Sequence, residues 1–261
     1  MNLLAFDTGT DIMSIAVART VDGRVQQWQH TGAGGAQASS ALIPAVLDLL
    51  QQAGLRLDAL DAICFGSGPG SFTGLRTACS VAQGLAFGAG VPVLPVDSLL
   101  AVAEDARHTG WADQAQVRVT ALLDARMDEL YAATYAYAAG QWTEVQGSCL
   151  VRPEAAGAHL LALRQTAALP AGTSAPWAVA GNAFAEYGAR LGLAEAGFAA
   201  ASCLQALPTA AAMLRLAPQL LAAGHAVPAE QALPRYIRDK VAKTTLERAA
   251  EKAASLAATG H

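Results

Sequence analysis

The chain has 261 residues, enough to bury a full core in one large or two modest domains. Its formal charge is −4, from 17 Lys and Arg against 21 Asp and Glu, so the surface lacks the clustered cations with which a protein grips nucleic acid unaided. Cys64, Cys79, Cys149 and Cys203 are too widely spaced for a zinc knuckle, and three of them sit in apolar runs, as buried thiols do in a reducing compartment. Asp7 interrupts the N-terminal apolar run, no basic segment precedes it, and no stretch near twenty residues is free of charge, proline and strongly polar side chains as a membrane span requires. The expectation is a cytoplasmic protein that makes no membrane contact.

Asn2-Leu3-Leu4-Ala5-Phe6-Asp7 predicts a strand, Asp7-Thr8-Gly9-Thr10-Asp11 a turn, and Met13-Ser14-Ile15-Ala16-Val17-Ala18 a second strand. Val21-Asp22-Gly23-Arg24 predicts a hairpin into a third strand at residues 25–30, followed by a small, Gly-rich loop at 31–38. A helix over residues 40–52 then leads to a strand at Ala62-Ile63-Cys64-Phe65. Val91-Pro92-Val93-Leu94-Pro95-Val96 is the next strand, and Asp97 or Ser98 caps a helix ending near Arg107.

From residue 117 the opening pattern returns. An apolar strand ends in Asp124, and a second one begins at Tyr131, seven residues on, as Ser14 begins seven residues after Asp7. The shared spacing suggests two related halves. The second half continues with a strand at residues 142–150, a helix started by Pro153, a loop at 166–176, and a strand and turn at 177–182. Helices at 183–191 and 207–223 follow, the last stopped by Gly224. Residues 239–258 form an Ala-rich tail with interspersed charges, expected as a solvated or frayed helix.

Gly66-Ser67-Gly68-Pro69-Gly70-Ser71-Phe72-Thr73-Gly74-Leu75-Arg76 joins a strand to a helix that runs to about Phe87. Two readings stay open. Glycine-rich loops feeding helix N-termini suit anions, but Ser71 stands where a dinucleotide fingerprint needs glycine, and Leu75-Arg76 is not the Lys-Ser/Thr of a Walker loop. A tight turn with a Ser71 or Thr73 cap accounts for the same residues. Arg76, in a first helical turn where the dipole disfavours a cation, needs an acidic partner, in this chain or on another subunit.

Residues 78–89 carry only Ser80 and Gln83 as polar side chains, and Asp48 is alone between Ala41 and Leu50. Each helix has one apolar face too many. Either they cover each other, or a second subunit covers both.

Two strand–aspartate–turn–strand halves are also found in actin, sugar kinases and heat-shock ATPases, where each half offers a loop to nucleotide phosphates. Asp7-Thr8-Gly9-Thr10 meets that need. Asp124-Ala125-Arg126-Met127-Asp128-Glu129 has no glycine and three carboxylates, which would repel a polyphosphate unless a metal intervened. His30, His108, His159, His225 and His261 are scattered, with no metal-binding pair and a surface or loop placement expected, and no nucleophile elbow is present.

Leu4-Ala5-Phe6-Asp7-Thr8, Gly68-Pro69-Gly70-Ser71-Phe72-Thr73-Gly74-Leu75-Arg76, Ala82-Gln83-Gly84-Leu85-Ala86, Asp124-Ala125-Arg126-Met127 with Glu129 and Tyr131, and Pro234-Arg235-Tyr236-Ile237-Arg238 together resemble the TsaB (YeaZ) family. One departure is Ala38, where that family usually carries a His ahead of its first helix. The resemblance implies an α/β, actin-like (ASKHA, ribonuclease-H-like) two-lobed fold, a duplicated mixed sheet with flanking helices. The expected division is an N-terminal lobe at residues 1–108, a C-terminal lobe at 109–238 and a tail at 239–261.

It further implies a non-catalytic scaffold or dimerisation subunit of the bacterial tRNA threonylcarbamoyladenosine machinery. Its partners would be the metal-binding catalytic paralogue TsaD, the ATPase TsaE, tRNA through the complex, and a second copy of the chain in isolation. The interface expected from the two helices comprises Leu42, Val46, Leu49, Ser71, Phe72, Thr73, Arg76, Val81 and Leu85. No catalytic or metal-binding residue is expected. ATP or ADP contact is expected only within the complex, through a degenerate site at Asp7, Thr8, Gly9 and Thr10. The alternative is an ATPase or glycoprotease-like peptidase acting on its own.

Overall fold

The computed structural model describes residues 1–166 and 175–238. The expected loop at 166–176 lies largely, and the tail wholly, outside them.

Two five-stranded sheets share one topology. In the first, β1 (Asn2–Asp7) lies between β2 (Ile12–Val21), its antiparallel neighbour, and β4 (Ala62–Gly68), its parallel one; β3 (Arg24–Ala33) and β5 (Val93–Asp97) form the edges. In the second, β6 (Gln116–Asp124) sits between β7 (Leu130–Ala138) and β9 (Trp177–Gly181), with β8 (Gln141–Val151) and β10 (Cys203–Gln205) outside them. The orders β3-β2-β1-β4-β5 and β8-β7-β6-β9-β10 correspond strand for strand, with the same parallel and antiparallel pairings. The duplication inferred from one spacing therefore holds along the sheets. The β2–β3 and β7–β8 hairpins even turn alike, with left-handed Asp22-Gly23 (φ 50° and 75°) and Ala139-Gly140 (φ 50° and 78°), the pairing that two-residue turns require. β10 escaped the sequence reading because its three residues carry no alternation.

Alternation along the central strands assigns the helices. Leu4 and Phe6 of β1 pack with Leu42, Val46 and Leu49 of α1 (Ala38–Gln52) and Ala78 and Ala82 of α2 (Phe72–Ala89). Leu3 and Ala5 face the opposite way, into a core shared by both sheets. That core contains α3 (Ser98–Gly110) and α6 (Ala210–Ala222), and each helix crosses to the other half: α3 lies on β6, β7 and β9, and α6 on β1, β2, β4 and β5. α4 (Ala156–Thr166) and α5 (Ala183–Tyr187) cover the remaining face of the second sheet, where Leu122 meets Leu160 and Tyr187. The expected helix at 183–191 thus ends early: Gly188 (φ 43°) breaks it, and a 3-10 turn completes the segment. Residue 108, expected as the end of the first lobe, falls in the last turns of α3.

One buried anion ties the crossed helices. Glu104 of α3, 3% exposed, accepts from Arg107 Nε (2.9 Å) and Nη2 (3.0 Å), Arg215 Nε of α6 (2.8 Å) and Trp142 Nε1 of β8 (3.0 Å). Removing it strands two mostly buried guanidiniums and an indole N–H. Glu104→Ala is expected to cost about 2–4 kcal/mol, read as a lowered denaturant midpoint at unchanged slope. Glu104→Gln, which keeps an acceptor, should cost less.

Candidate functional site: a filled interlobe cleft beside a helical groove

β1 delivers Asp7 and Thr8 to the point where the two halves face each other. Both are buried, at 1% and 0% exposure, and Gly9 is buried with them. The Asp7 carboxylate accepts from Gly9 N (2.6 Å) and from Ser98 Oγ at the start of α3 (3.0 Å). Thr8 Oγ1 donates to Gly74 O in the first turn of α2 (2.7 Å), and Ser71 N donates to Gly9 O (2.7 Å). The loop after β4 thus lies directly on the first turn.

Its glycines serve that approach. A Cβ at Gly66 would sit 1.8 Å from Asp7 Oδ2, and one at Gly74 would sit 1.9 Å from Thr8 O. The amide of Gly74 is already taken by the Ser71 cap (3.2 Å), and that of Leu75 by Ser71 O (2.9 Å). Of the two readings of this loop, the tight turn with its cap is the one these contacts support. Among the expected nucleotide residues, Asp7, Thr8 and Gly9 are committed internally. Thr10, half-buried, borders a remnant cavity of about 50 Å³ between the turns, room for a few waters.

The second turn closes the cleft from the other side. Arg126, Met127 and Asp128 are all left-handed, with φ of 61°, 58° and 58°, a run that non-glycine residues enter at a cost. It places the Arg126 guanidinium on Asp11 of the first half, Nη2 lying 2.7 and 2.8 Å from the carboxylate oxygens. The three carboxylates expected to repel a polyphosphate are each partnered. Asp124 has Arg126 (3.5 Å) and Tyr187 Oη (2.8 Å), Asp128 has Arg190 (3.1 Å), and Glu129 has Arg238. Burial, with the Asp124 carboxylate beside it, pushes the Tyr187 hydroxyl up to about 12.

A strap at residues 232–238 returns across both halves. Ala232 O accepts from Gln83 Nε2 (2.8 Å) and Cys79 Sγ (3.4 Å) of α2, Arg235 N donates to Ser67 O (2.6 Å), and Arg235 Nη1 lies 2.9 Å from Asp97 Oδ2. Tyr236 stacks on Phe72 at 5.3 Å, and Arg238 reaches Glu129 and Arg126 O of the second half. Between Phe72, Met127 and Tyr236 a cavity of about 240 Å³ remains. For Arg76, expected to meet an acidic group in this chain or on another subunit, the structure answers the first alternative. Among the described residues it has no acidic partner; its guanidinium lies 3.7 Å above the Phe72 ring and donates to Tyr236 Oη (3.1 Å).

The expected helical interface divides. Leu42, Val46 and Leu49 are 0%, 0% and 3% exposed and belong to the chain's own core, so they cannot meet another protein. The exposed large apolar residues of α1 are Ile43 and Leu47, at 42% and 49%. On α2, Ser71, Thr73 and Arg76 are exposed, Phe72, Val81 and Leu85 half-buried, and Phe87 is 81% exposed. Sequence reasoning missed Ile43, Leu47 and Phe87, although their spacing from the buried set marks them as the other side of each helix. The helices are not apolar all round: the outer strip of α2 is mostly small or polar, Thr73, Ser80, Gly84 and Gly88. Between α1 and α2 runs an open groove of about 570 Å³, floored by Leu47, Leu50, Leu55 and Leu85.

Among the described residues no group of three or more His, Cys, Asp and Glu could hold a metal ion, and no helix is long and apolar enough to cross a membrane. His30, His108 and His225 are exposed, whereas His159 is half-buried against Gln146 Oε1 (2.9 Å).

The duplicated sheets, their crossed helices and the paired turns at the junction define an actin-like protein whose interlobe cleft is filled by its own side chains. A family model described as "TsaD: tRNA N6-adenosine threonylcarbamoyltransferase" matches residues 29–246. The tRNA threonylcarbamoyladenosine biosynthesis protein TsaB of Escherichia coli K12 is 33% identical over 243 residues, covering 93% of this chain and 96% of that protein. Its Haemophilus influenzae namesake is 39% identical over 135 residues, about half of each chain. The solved structure of YeaZ from Pseudomonas aeruginosa superimposes with a TM-score of 0.70 at 37% identity, over 90% of this chain and 99% of that one. The chain belongs to the TsaB (YeaZ) family.

Burial pushes the Asp7 carboxyl up to about 6, against the lowering effect of its bonds from Gly9 and Ser98. The folded protein therefore holds a proton that the unfolded chain, with its ordinary carboxylate, releases earlier. The stability this supplies is complete below about pH 4 and is lost as pH rises through 6. Asp7→Asn removes the titration. The stability difference between variant and wild type should shift in the variant's favour by about 2–3 kcal/mol between pH 4 and pH 7.5, measured by urea unfolding at each pH.

Proposed function

We propose that this protein acts in the formation of threonylcarbamoyladenosine in tRNA as a non-catalytic subunit, and that the α1–α2 face is where it holds a TsaD-type catalytic paralogue. The name of its full-length relative supports the process. The α1–α2 face supports the role. Gly84 and Gly88 lie in the interior of α2, where a Cβ would meet nothing within 4 Å. Each costs the helix about 0.5–1 kcal/mol relative to alanine, and no contact inside the chain offsets that. Two glycines one turn apart, beside Phe87 and sharing a groove with Leu47, let a second helix approach closely over the apolar floor of Leu50, Leu55 and Leu85.

A helix pair from the partner would complete a four-helix contact, burying at least ~1,000 Å² in total. In the absence of the paralogue a second copy of the chain takes the same face. Activation then amounts to differential binding: the paralogue is stabilised in whichever arrangement presents the matching helices. The ATPase TsaE and tRNA join through the complex, in the cytoplasm, and any ATP or ADP contact forms there. Independent ATPase or peptidase action draws no support from the site, since Asp7 and Thr8 are buried and bonded within the chain.

Phe87→Asp and Leu47→Arg change exposed side chains and should leave the fold intact. Each is expected to weaken association with the TsaD paralogue by roughly 30-fold or more, and to dissociate the isolated chain to monomers, by copurification and light scattering. Leu85→Glu, in the groove floor, should do the same. Unchanged affinity in all three variants would remove this face from the assembly.

A further inference from the structure

β6 carries Asp124 to the interlobe cleft at one end and Arg118 towards the other, six residues and about 20 Å away. Arg118 is the one buried basic side chain among the described residues, 6% exposed. Its backbone amide is used, donating to Pro176 O (2.9 Å), but its Nε is buried without a hydrogen-bond partner and no carboxylate pairs with it among the described residues. Burial alone acts on the group, lowering its pKa with no offsetting charge.

The guanidinium lies 4.8 Å over the Trp177 ring, on the wall of an open cavity of about 380 Å³. Arg164 of α4 stands on the same wall, 4.4 Å over Phe198 and 5.4 Å over Trp177. It too has no carboxylate partner among the described residues. Ser202 lines the cavity with them. Trp177 is positioned by its Nε1 bond to Thr120 Oγ1 (3.0 Å) and by edge contact with Phe198 at 5.6 Å.

A guanidinium stacked on an aromatic ring uses its face and leaves its fork of N–H donors free at the edge, the geometry that matches phosphate oxygens two at a time. Burying one such cation without a counter-charge is costly, and an anion between the two forks removes the cost. We propose that this cavity is a binding site for a small phosphate-bearing ligand, its phosphate held between Arg118 and Arg164 with Ser202 as a further donor. The volume is that of a small-molecule site. A nucleic-acid track is disfavoured by charge. The chain's lysines, Lys240, Lys243 and Lys252, all lie beyond residue 238, and two arginines on a chain of net charge −4 do not make a basic stripe.

The test uses the full chain with inorganic phosphate, AMP and a single-stranded RNA oligonucleotide, by calorimetry and by thermal unfolding against chloride at equal ionic strength. Phosphate and AMP should bind and raise the unfolding temperature of wild type. Arg164→Ala, an exposed change, should weaken both by roughly tenfold or more. Arg118→Met should abolish both, and should unfold at higher temperature than wild type in chloride, because an uncompensated buried charge is gone. Should Arg118→Met fail to fold, Arg164→Ala decides alone. No binding to wild type, or equal shifts in wild type and Arg164→Ala, overturns the site. RNA that displaces phosphate more effectively than AMP overturns the small-ligand assignment in favour of nucleic acid.

Discussion

The structure depends on a backbone contact: the first turn, Asp7 to Gly9, pressed against the loop between β4 and α2. The Thr8 hydroxyl donates to Gly74 O, the absence of a Cβ at Gly74 admits the Thr8 carbonyl, and Gly66 leaves room for the Asp7 carboxylate. In an architecture whose paired turns are suited to clasping phosphates, this contact takes the amides and the space for the protein itself. The consequence is a first turn whose Gly9 amide and Thr8 hydroxyl are used within the chain, and a buried acid whose pKa is pushed up to about 6 by its surroundings. Burial wins there over two hydrogen bonds because the carboxylate has no cation near it; Ser98 and a single amide stabilise the charge without neutralising it.

The two halves are then joined on three independent grounds. The crossed helices share a core around Glu104, the Arg126–Asp11 pair spans the cleft, and the strap at 232–238 touches Ser67, Asp97, Phe72 and Glu129 in turn. They are not equal. Arg126 and Asp11 are 66% and 79% exposed, so that pair contributes at most about 1 kcal/mol. The buried helices and Glu104 carry the cohesion, and the exposed pair sets register. Domain opening of the kind a nucleotide cleft exploits would have to break all three.

What was legible in the sequence was whatever depends on local spacing. Strand, aspartate and turn recur at a fixed interval, so the duplication could be read before any sheet was seen, and the glycine loop announced its strand–helix junction. Which face of a helix is buried was harder. Residues 41–50 and 78–89 are so apolar that periodicity has no contrast, and Leu42, Val46 and Leu49 were assigned outward when the sheet takes them inward. Long-range charge pairing was illegible: Arg126 meets Asp11 across 115 residues and Arg235 meets Asp97 across 138. Arg76 is the reverse case. A helix-dipole argument asked for an anion in this chain or on another subunit, and within the chain two aromatic rings are the partners instead, because Tyr236 arrives from the far end of the chain.

These features meet in α2. Its first turn is fixed to the Asp7 turn through Thr8 and Gly74, its inner side to β1 and β4 through Ala78 and Ala82, and its third and fourth turns to the strap through Cys79 and Gln83. Only the strip bearing Ser80, Gly84, Phe87 and Gly88 is left without an internal role. A helix held on every other side has little freedom to lose when something docks on the last one, so the ordering cost of association falls mainly on the partner. That is the physical value of the closed contact at the first turn: Thr8 and the glycine loop hold the start of α2, and a helix face held from behind and bare in front is what a partner's helices can use.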